Sequence, residues 1–292
     1  MGRGGSSLLS ETRKYLHRLD LRAKKGLGQH FLIDERVLRR ILSAAELDSR
    51  DIVVEVGAGL GTLTRELARR AGWVIAIEVD ARLASSLKEV LAPLTNITIV
   101  NADVLETDPK TLIGAAKGSF EVHYKVVANL PYYIAAAVLR HFLEASLKPG
   151  LMVITVQKEV AQAMVAQPGG MSILSVSVQL YGKPSIVDYV PARSFYPAPK
   201  VDSAIVRIEP HDHPAVEVND VARFFEVVRS GFSAPRKQLH NSLAQGLEIL
   251  PQEAATLLAR VGIDQKRRPQ TLSLEEWARV CHEFTATALN EE

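Results

Sequence analysis

The sequence has one cysteine, Cys281, among 292 residues, which excludes an intrachain disulfide and a zinc site built on cysteines. It has no uncharged apolar run approaching the ~18 residues that a membrane span needs. Its N-terminus is charged and lacks the apolar segment of a secretory signal. There is no internal repeat and no low-complexity tract. With 47% apolar and 23% charged residues, the chain reads as an ordinary soluble protein. Its length accommodates one large domain and a smaller one. The expected setting is reducing and cytoplasmic.

The formal net charge of +2 hides an uneven distribution. Residues 1–30 carry seven basic side chains against Glu11 and Asp20, a net +5. Residues 229–268 carry seven against Glu248, Glu253 and Asp264, a net +4, so the remainder stands at −7. Two basic zones beside an acidic body fit either a polyanionic partner or plain solvated charge.

Residues 51–56, 73–77, 96–100, 125–128 and 151–156 are short β-branched or apolar runs that read as buried strands. Helical spacing alternates with them over 60–70, 80–91, 134–145 and 158–166. This alternation predicts a mostly parallel sheet covered on both faces. Residues 173–180 fit either period and are assigned to a helix, and 185–190 with 201–208 read as a closing strand pair. Beyond 210–216 only helical patterns remain, over 221–229, 238–247, 253–261 and 274–288. The expected division is a basic arm (1–24), an α/β domain (25–210) and a small helical domain (217–292).

The first strand runs into Glu55-Val56-Gly57-Ala58-Gly59-Leu60-Gly61 and then a helix. Gly57 and Gly59 let the backbone turn tightly and approach a ligand beside a helix N-terminus. A dinucleotide-binding loop would place its third glycine at position 62, which here is Thr62, with Gly61 one residue earlier. Glu78 ends the second strand, where a carboxylate can accept from both hydroxyls of a ribose. Asp103, after the third, could accept from an adenine amino group. The alternative is that these acids cap the following helices, as Asp80 does by position.

The fourth strand leads into Asn129-Leu130-Pro131-Tyr132. Such a tetrapeptide suits methylation of an exocyclic amine. The N6 lone pair of adenine is delocalised into the ring, so the amine is a poor nucleophile. An Asn oxygen and a backbone carbonyl that accept its two N–H groups expose that lone pair. Pro131 stiffens the loop, and Tyr132 offers a ring for base stacking, worth about 1–3 kcal/mol. Neither a metal nor a strong base is required once the amine is held in line with a sulfonium methyl donor. An ordinary strand-to-helix turn has the same residue types.

Taken together, these residues resemble the KsgA/RsmA-type ribosomal RNA adenine dimethyltransferases, to which the Erm methyltransferases are related. The resemblance runs from Lys25 onward. It covers Gly28-Gln29-His30-Phe31-Leu32, the glycine loop, Asn129–Tyr132 and Phe195-Tyr196-Pro197-Ala198-Pro199-Lys200-Val201-Asp202-Ser203. It implies a class I S-adenosylmethionine-dependent fold, Rossmann-like, with a mostly parallel seven-stranded sheet and a C-terminal all-helical domain. It implies that His30, Leu32, Gly57, Gly59, Glu78, Asp103 and Asn129 surround S-adenosylmethionine. Asn129, with Pro131, would hold the target N6, and Tyr132 and Phe195 would sandwich the base. His30 replaces the family's commoner Asn, so a main-chain contact there survives and an amide contact does not.

The implied substrate is a pair of adjacent adenosines in the hairpin loop near the 3′ end of small-subunit rRNA, each dimethylated at N6 in the immature 30S subunit. The segment Ala234–Leu243 and Arg267-Arg268-Pro269 resemble the KsgA-type helical domain rather than Erm. Lys200, Arg236, Lys237, Lys266 and Arg267 would meet RNA phosphates, and the arm 1–24 would order on RNA. A monomer with no membrane partner and no metal is expected. The competing readings are an Erm-like enzyme on large-subunit rRNA, an N6-adenine DNA methyltransferase with N/D-P-P-Y, and a non-enzymatic factor reusing the fold.

Overall fold

Val- and Ile-rich runs too short for helices pair side by side, and the intervening amphipathic segments cover the faces they expose. The computed structural model describes residues 7–18, 29–114 and 123–289. Its helices are α1 (Leu8–Arg18), α2 (Glu35–Ala45), α3 (Thr62–Ala68), α4 (Ala81–Val90), α5 (Pro109–Gly114), α6 (Ala135–Leu143), α7 (Lys158–Met164), α8 (Ile173–Tyr181), α9 (Val221–Phe232), α10 (Leu239–Leu247), α11 (Pro251–Arg260) and α12 (Leu274–Leu289). Its strands are β1 (Phe31–Leu32), β2 (Ile52–Val56), β3 (Trp73–Ile77), β4 (Ile97–Val100), β5 (Tyr124–Asn129), β6 (Leu151–Gln157), β7 (Gly182–Val190), β8 (Phe195–Tyr196) and β9 (Ser203–Pro210).

Contacts divide the chain into two units, 1–161 with 184–210 and 162–183 with 211–292. The first holds a seven-stranded sheet in the order β4-β3-β2-β5-β6-β9-β7. The strands from β4 to β6 are parallel, and β9 lies antiparallel to β6. Strand order reverses between β2 and β5, which pair through Val54 and Val126. In open α/β sheets, such a switch point opens a crevice at the strand C-termini. Val53, Val74, Val127 and Val153 share one core cluster with Leu38 and Ile41 of α2 and Leu67 of α3, all almost fully buried. Ala76 packs with Ala58, Leu87 and Leu91 in another.

Three helices lie where the sequence reading assigned none: α1, α2 and the short α5. Asp34 caps α2 by accepting from Arg36 N at 2.9 Å, and Val37, Leu38, Ile41, Leu42 and Ala45 form its buried face. Within the basic arm, expected to order only on RNA, residues 8–18 already form α1. Leu16 buries itself against Phe31, Leu60 and Leu83, while Arg13, Lys14, His17 and Arg18 stay exposed. The other basic residues of the arm, Arg3, Arg22 and Lys24, lie outside the described residues.

The second unit contains α8 to α12. The ambiguous 173–180 stretch is helical, fixed at its start by reciprocal bonds between Ser172 and Ser175. It belongs with the helical unit rather than the α/β domain, a difference from the division read in the sequence. The preceding loop is tied into that unit as well, since Gly169 N and Met171 N both donate to Gln270 O, at 2.8 and 3.1 Å. Trp277, Phe224 and Leu258 are fully buried at its centre.

Candidate active site

The glycine loop, the acids at the strand ends and the Asn-Leu-Pro-Tyr turn line one cavity at the switch point. The loop conformation explains the glycine spacing. Gly59 has φ +58°, and a Cβ there would lie 3.2 Å from the Phe31 ring. Gly61 has φ +77°, with its would-be Cβ 2.8 Å from Leu87. It forms the N-cap of α3, which is why the third glycine stands at 61 and not 62. Gly57 N donates to Ile77 O at 2.8 Å, pinning the loop to the end of β3.

Glu78 completes that anchorage. Its Oε2 accepts from Gly59 N and its Oε1 from Asp80 N, each at 2.9 Å. Burial holds its carboxyl above the ordinary range, although these backbone donors oppose the shift. A carboxylate has about four acceptor sites, so these donors leave acceptor capacity for a ligand's hydroxyls. Asp80 caps α4 through Arg82 N at 2.9 Å. Asp103 also caps, accepting from Leu105 N at 2.9 Å, and it lines the cavity too. Here the capping and cavity readings of one acid coexist.

Glu55, quoted within the loop motif but given no role there, is 2% exposed and also lines the cavity. Burial, reinforced by Glu78, pushes its carboxyl up to about 8. Its Oε2 has no hydrogen-bond partner among the described residues. Such an atom is costly unless a polar or cationic group reaches it.

Asn129 closes β5, and its Nδ2 donates to His30 O at 3.0 Å. That bond fixes the amide orientation and leaves Oδ1, on the other side of the amide, as an acceptor. The contact at position 30 is therefore through the main chain, so replacing Asn with His does not disturb it. The His30 ring donates from Nδ1 to Pro197 O at 2.7 Å. It also stacks on Tyr132, with centroids 5.6 Å apart and planes at 27°. Leu130 N donates to Thr155 O at 3.2 Å, a bond that a proline, as in N/D-P-P-Y, could not make. Pro131 packs over Gly57. Half-buried Tyr132 bonds through its hydroxyl to Ser203 Oγ at 2.6 Å.

Two sequence expectations change. Phe195 is 2% exposed and sits in the core cluster with Leu32, not on the cavity wall. The short β1–β8 ladder explains this. It pairs Leu32 with Phe195 and Phe31 with Tyr196, and the alternation sends Phe195 inward while Tyr196 lies beneath the Arg13 guanidinium. Phe31, not assigned a contact from the sequence, lines the cavity beside Leu32.

Arg267 is likewise committed. Its guanidinium binds the Glu276 carboxylate (Nη2–Oε2 2.9 Å) and Thr271 O, so it is not available to phosphate. Arg268 beside it is exposed. Leu239 N donates to Arg267 O at 2.7 Å, which brings the exposed Arg236 and Lys237 alongside exposed Lys266 in the helical unit. Lys237 Nζ donates to Gln245 Oε1 at 3.3 Å. Lys200, in the α/β unit, is exposed as well.

A profile of the family described as ribosomal RNA adenine dimethylase matches residues 20–286. The chain belongs to this family. Ribosomal RNA small subunit methyltransferase A from a Dehalococcoides mccartyi strain is 49% identical over 97% of this chain and 95% of the relative. The protein of the same name from Moorella thermoacetica is 44% identical, over 88% and 91%. Among solved structures, a dimethyladenosine transferase from Plasmodium falciparum superposes with TM-score 0.72, 25% identity, and 89% and 98% coverage. The 23S rRNA methyltransferase ErmE gives 0.65, 31%, 87% and 99%. The fold is thus that of this methyltransferase family, and the protein is a methyltransferase enzyme.

Proposed function

We propose that the protein transfers methyl groups from S-adenosylmethionine to N6 of two adjacent adenosines, in the hairpin loop near the 3′ end of small-subunit rRNA. It would act on immature small subunits, as a cytoplasmic monomer. The observation that carries the chemistry is the Asn129 amide, whose Nδ2 is occupied by His30 O so that Oδ1 is held for an N6–H. Two relatives at 49% and 44% identity, each named ribosomal RNA small subunit methyltransferase A, support the choice of small-subunit rRNA.

The donor fits the residues present. The unpartnered buried oxygen of Glu55 suits a cationic ligand, Glu78 retains acceptor capacity for a ribose, and Asp103 reaches the cavity for an adenine amine. When bound, S-adenosylmethionine supplies an electrophilic methyl group on a sulfonium. The remaining work is positional. Asn129 Oδ1 accepts one N6–H, a backbone carbonyl accepts the other, and the Tyr132 ring stacks the base. Unpaired loop adenosines are extruded at lower cost than duplex ones. Arg236, Lys237, Lys266, Lys200 and the exposed face of α1 would hold phosphates without reading bases, and Arg268 replaces Arg267 in this role.

The test is incubation with labelled S-adenosylmethionine and immature small subunits, followed by mapping of the modified nucleotides. Label on the two loop adenosines is expected. Label confined to large-subunit rRNA or DNA would overturn the assignment and favour the Erm-like or DNA-modifying reading.

A further inference from the structure

We propose that Ser203 is a positioning residue for methyl transfer, setting the angle of the base-stacking ring through the Tyr132 hydroxyl. The inference rests on the reading of Tyr132 as that ring. Ser203 is fully buried, opens β9 and is in register with Gln157 on β6. Two bonds to the preceding Asp202 hold the start of the strand. Lys158 N donates to Asp202 O at 3.0 Å, and Ala192 N donates to Asp202 Oδ1 at 2.9 Å. The Ser203 hydroxyl is therefore a fixed point on the rigid sheet, 2.6 Å from the Tyr132 oxygen.

A tyrosine ring has two faces and one long axis. The Ser203 bond fixes the far end of that axis. One face is covered by the His30 ring, itself tied to Pro197 O at 2.7 Å. Only the opposite face remains for a base. Without the Ser203 bond, the ring pivots about its Cβ, and a small angular change displaces a stacked base relative to Asn129 Oδ1. Misplacement by ~1 Å is enough to slow a positioned reaction strongly.

The test is a double-mutant cycle on the full protein, with immature small subunits as substrate. Ser203→Ala and Tyr132→Phe each remove one end of the bond. Each is expected to raise KM for the RNA about three- to tenfold, the scale of one hydrogen bond. Cofactor affinity should stay within about twofold, because the ring stacks the base and not the donor. The double variant should match the singles, since both remove one interaction. A purely structural serine would instead add its defect to that of Tyr132→Phe, and multiplied effects would overturn the proposal. Should Ser203→Ala fail to fold, Tyr132→Phe alone decides, and an unchanged RNA KM there refutes the role. Tyr132→Ala separates the two layers. Unimpaired transfer by that variant removes the stacking reading itself, whereas strong impairment with no effect of Ser203→Ala removes only the positioning role.

Discussion

Glu55 is expected to make the ligand-free protein lose stability as pH rises, and Glu55→Gln to remove that dependence. The folded carboxyl stands at about 8 against 4.5 in its ordinary state, because burial disfavours the charged form and Glu78 adds repulsion. A raised folded-state value means that the stability contribution is complete below 4.5 and is lost as pH climbs through about 8. Between those limits the unfolded chain is ionised and the folded one is not. Each pH unit therefore costs about 1.4 kcal/mol, with roughly 5 kcal/mol as an upper bound across the window. Glu78, also raised by burial, acts in the same direction. Asp34 and Glu276 are held below their ordinary values and act only at more acidic pH, outside the window. The assay is urea unfolding at pH 5.5, 6.5 and 7.5 without ligand. The wild-type free energy should fall by about 1.4 kcal/mol per unit more steeply than that of Glu55→Gln. Parallel pH profiles would refute the reasoning, because they would mean that Glu55 ionises in the fold at its ordinary value.

Asn129→Ala should keep cofactor affinity and lose about a hundredfold in methyl transfer, read by equilibrium binding and single-turnover kinetics. Near-normal turnover removes the amine-binding role. Replacing Arg236 and Lys237 together by Ala should lower the slope of log affinity for RNA against log salt by about 1.4, the release expected for two single-strand phosphate contacts. An unchanged slope excludes this patch. Phe195→Leu should cost about 1–2 kcal/mol in urea unfolding and leave RNA KM unchanged, because the ring is core. A raised KM with full stability would return Phe195 to the base-binding role.

The parallel sheet was legible because fully buried strands concentrate Val and Ile in runs that no surface helix matches, as at 52–56 and 73–77. The elements that escaped notice depend on tertiary partners. α1 is a short basic helix whose order comes from Leu16 meeting Phe31, Leu60 and Leu83, residues distant in sequence. α2 did carry a local signal, with Asp34 as N-cap and apolar residues at 37, 38, 41, 42 and 45. In the site, motif order along one sheet edge was enough to bring Glu78, Asp103 and Asn129 to one cavity. The resemblance carries Phe195 over as a base-stacking ring, but a motif does not say which face of a two-residue strand points inward, and here Phe195 faces the core. Nor does charge reveal commitment. Arg267 and Arg268 are adjacent and chemically equal, and the partners Glu276 and Thr271, which bind the Arg267 guanidinium, distinguish them.

The cavity wall gives the same groups two tasks, and this constrains how the site works. Glu78 holds Gly59 and Asp80 before any ligand arrives, so the glycine loop needs no ordering when the donor binds. Asn129 is oriented by His30 O, and Tyr132 is braced by Ser203 and His30. An amine that needs only exposure of its lone pair benefits from such fixed acceptors more than from a titrating base. The positions are set in advance and no proton has to be removed before transfer. That arrangement also accommodates a second methylation. A monomethylated N6 still offers one N–H, and Asn129 Oδ1 can accept it, while the methyl already transferred replaces the contact to the second acceptor. On the proposed reading of Asn129 as the amine acceptor, selection against a dimethylated amine follows without any residue devoted to it, because no N–H remains for Asn129 to hold.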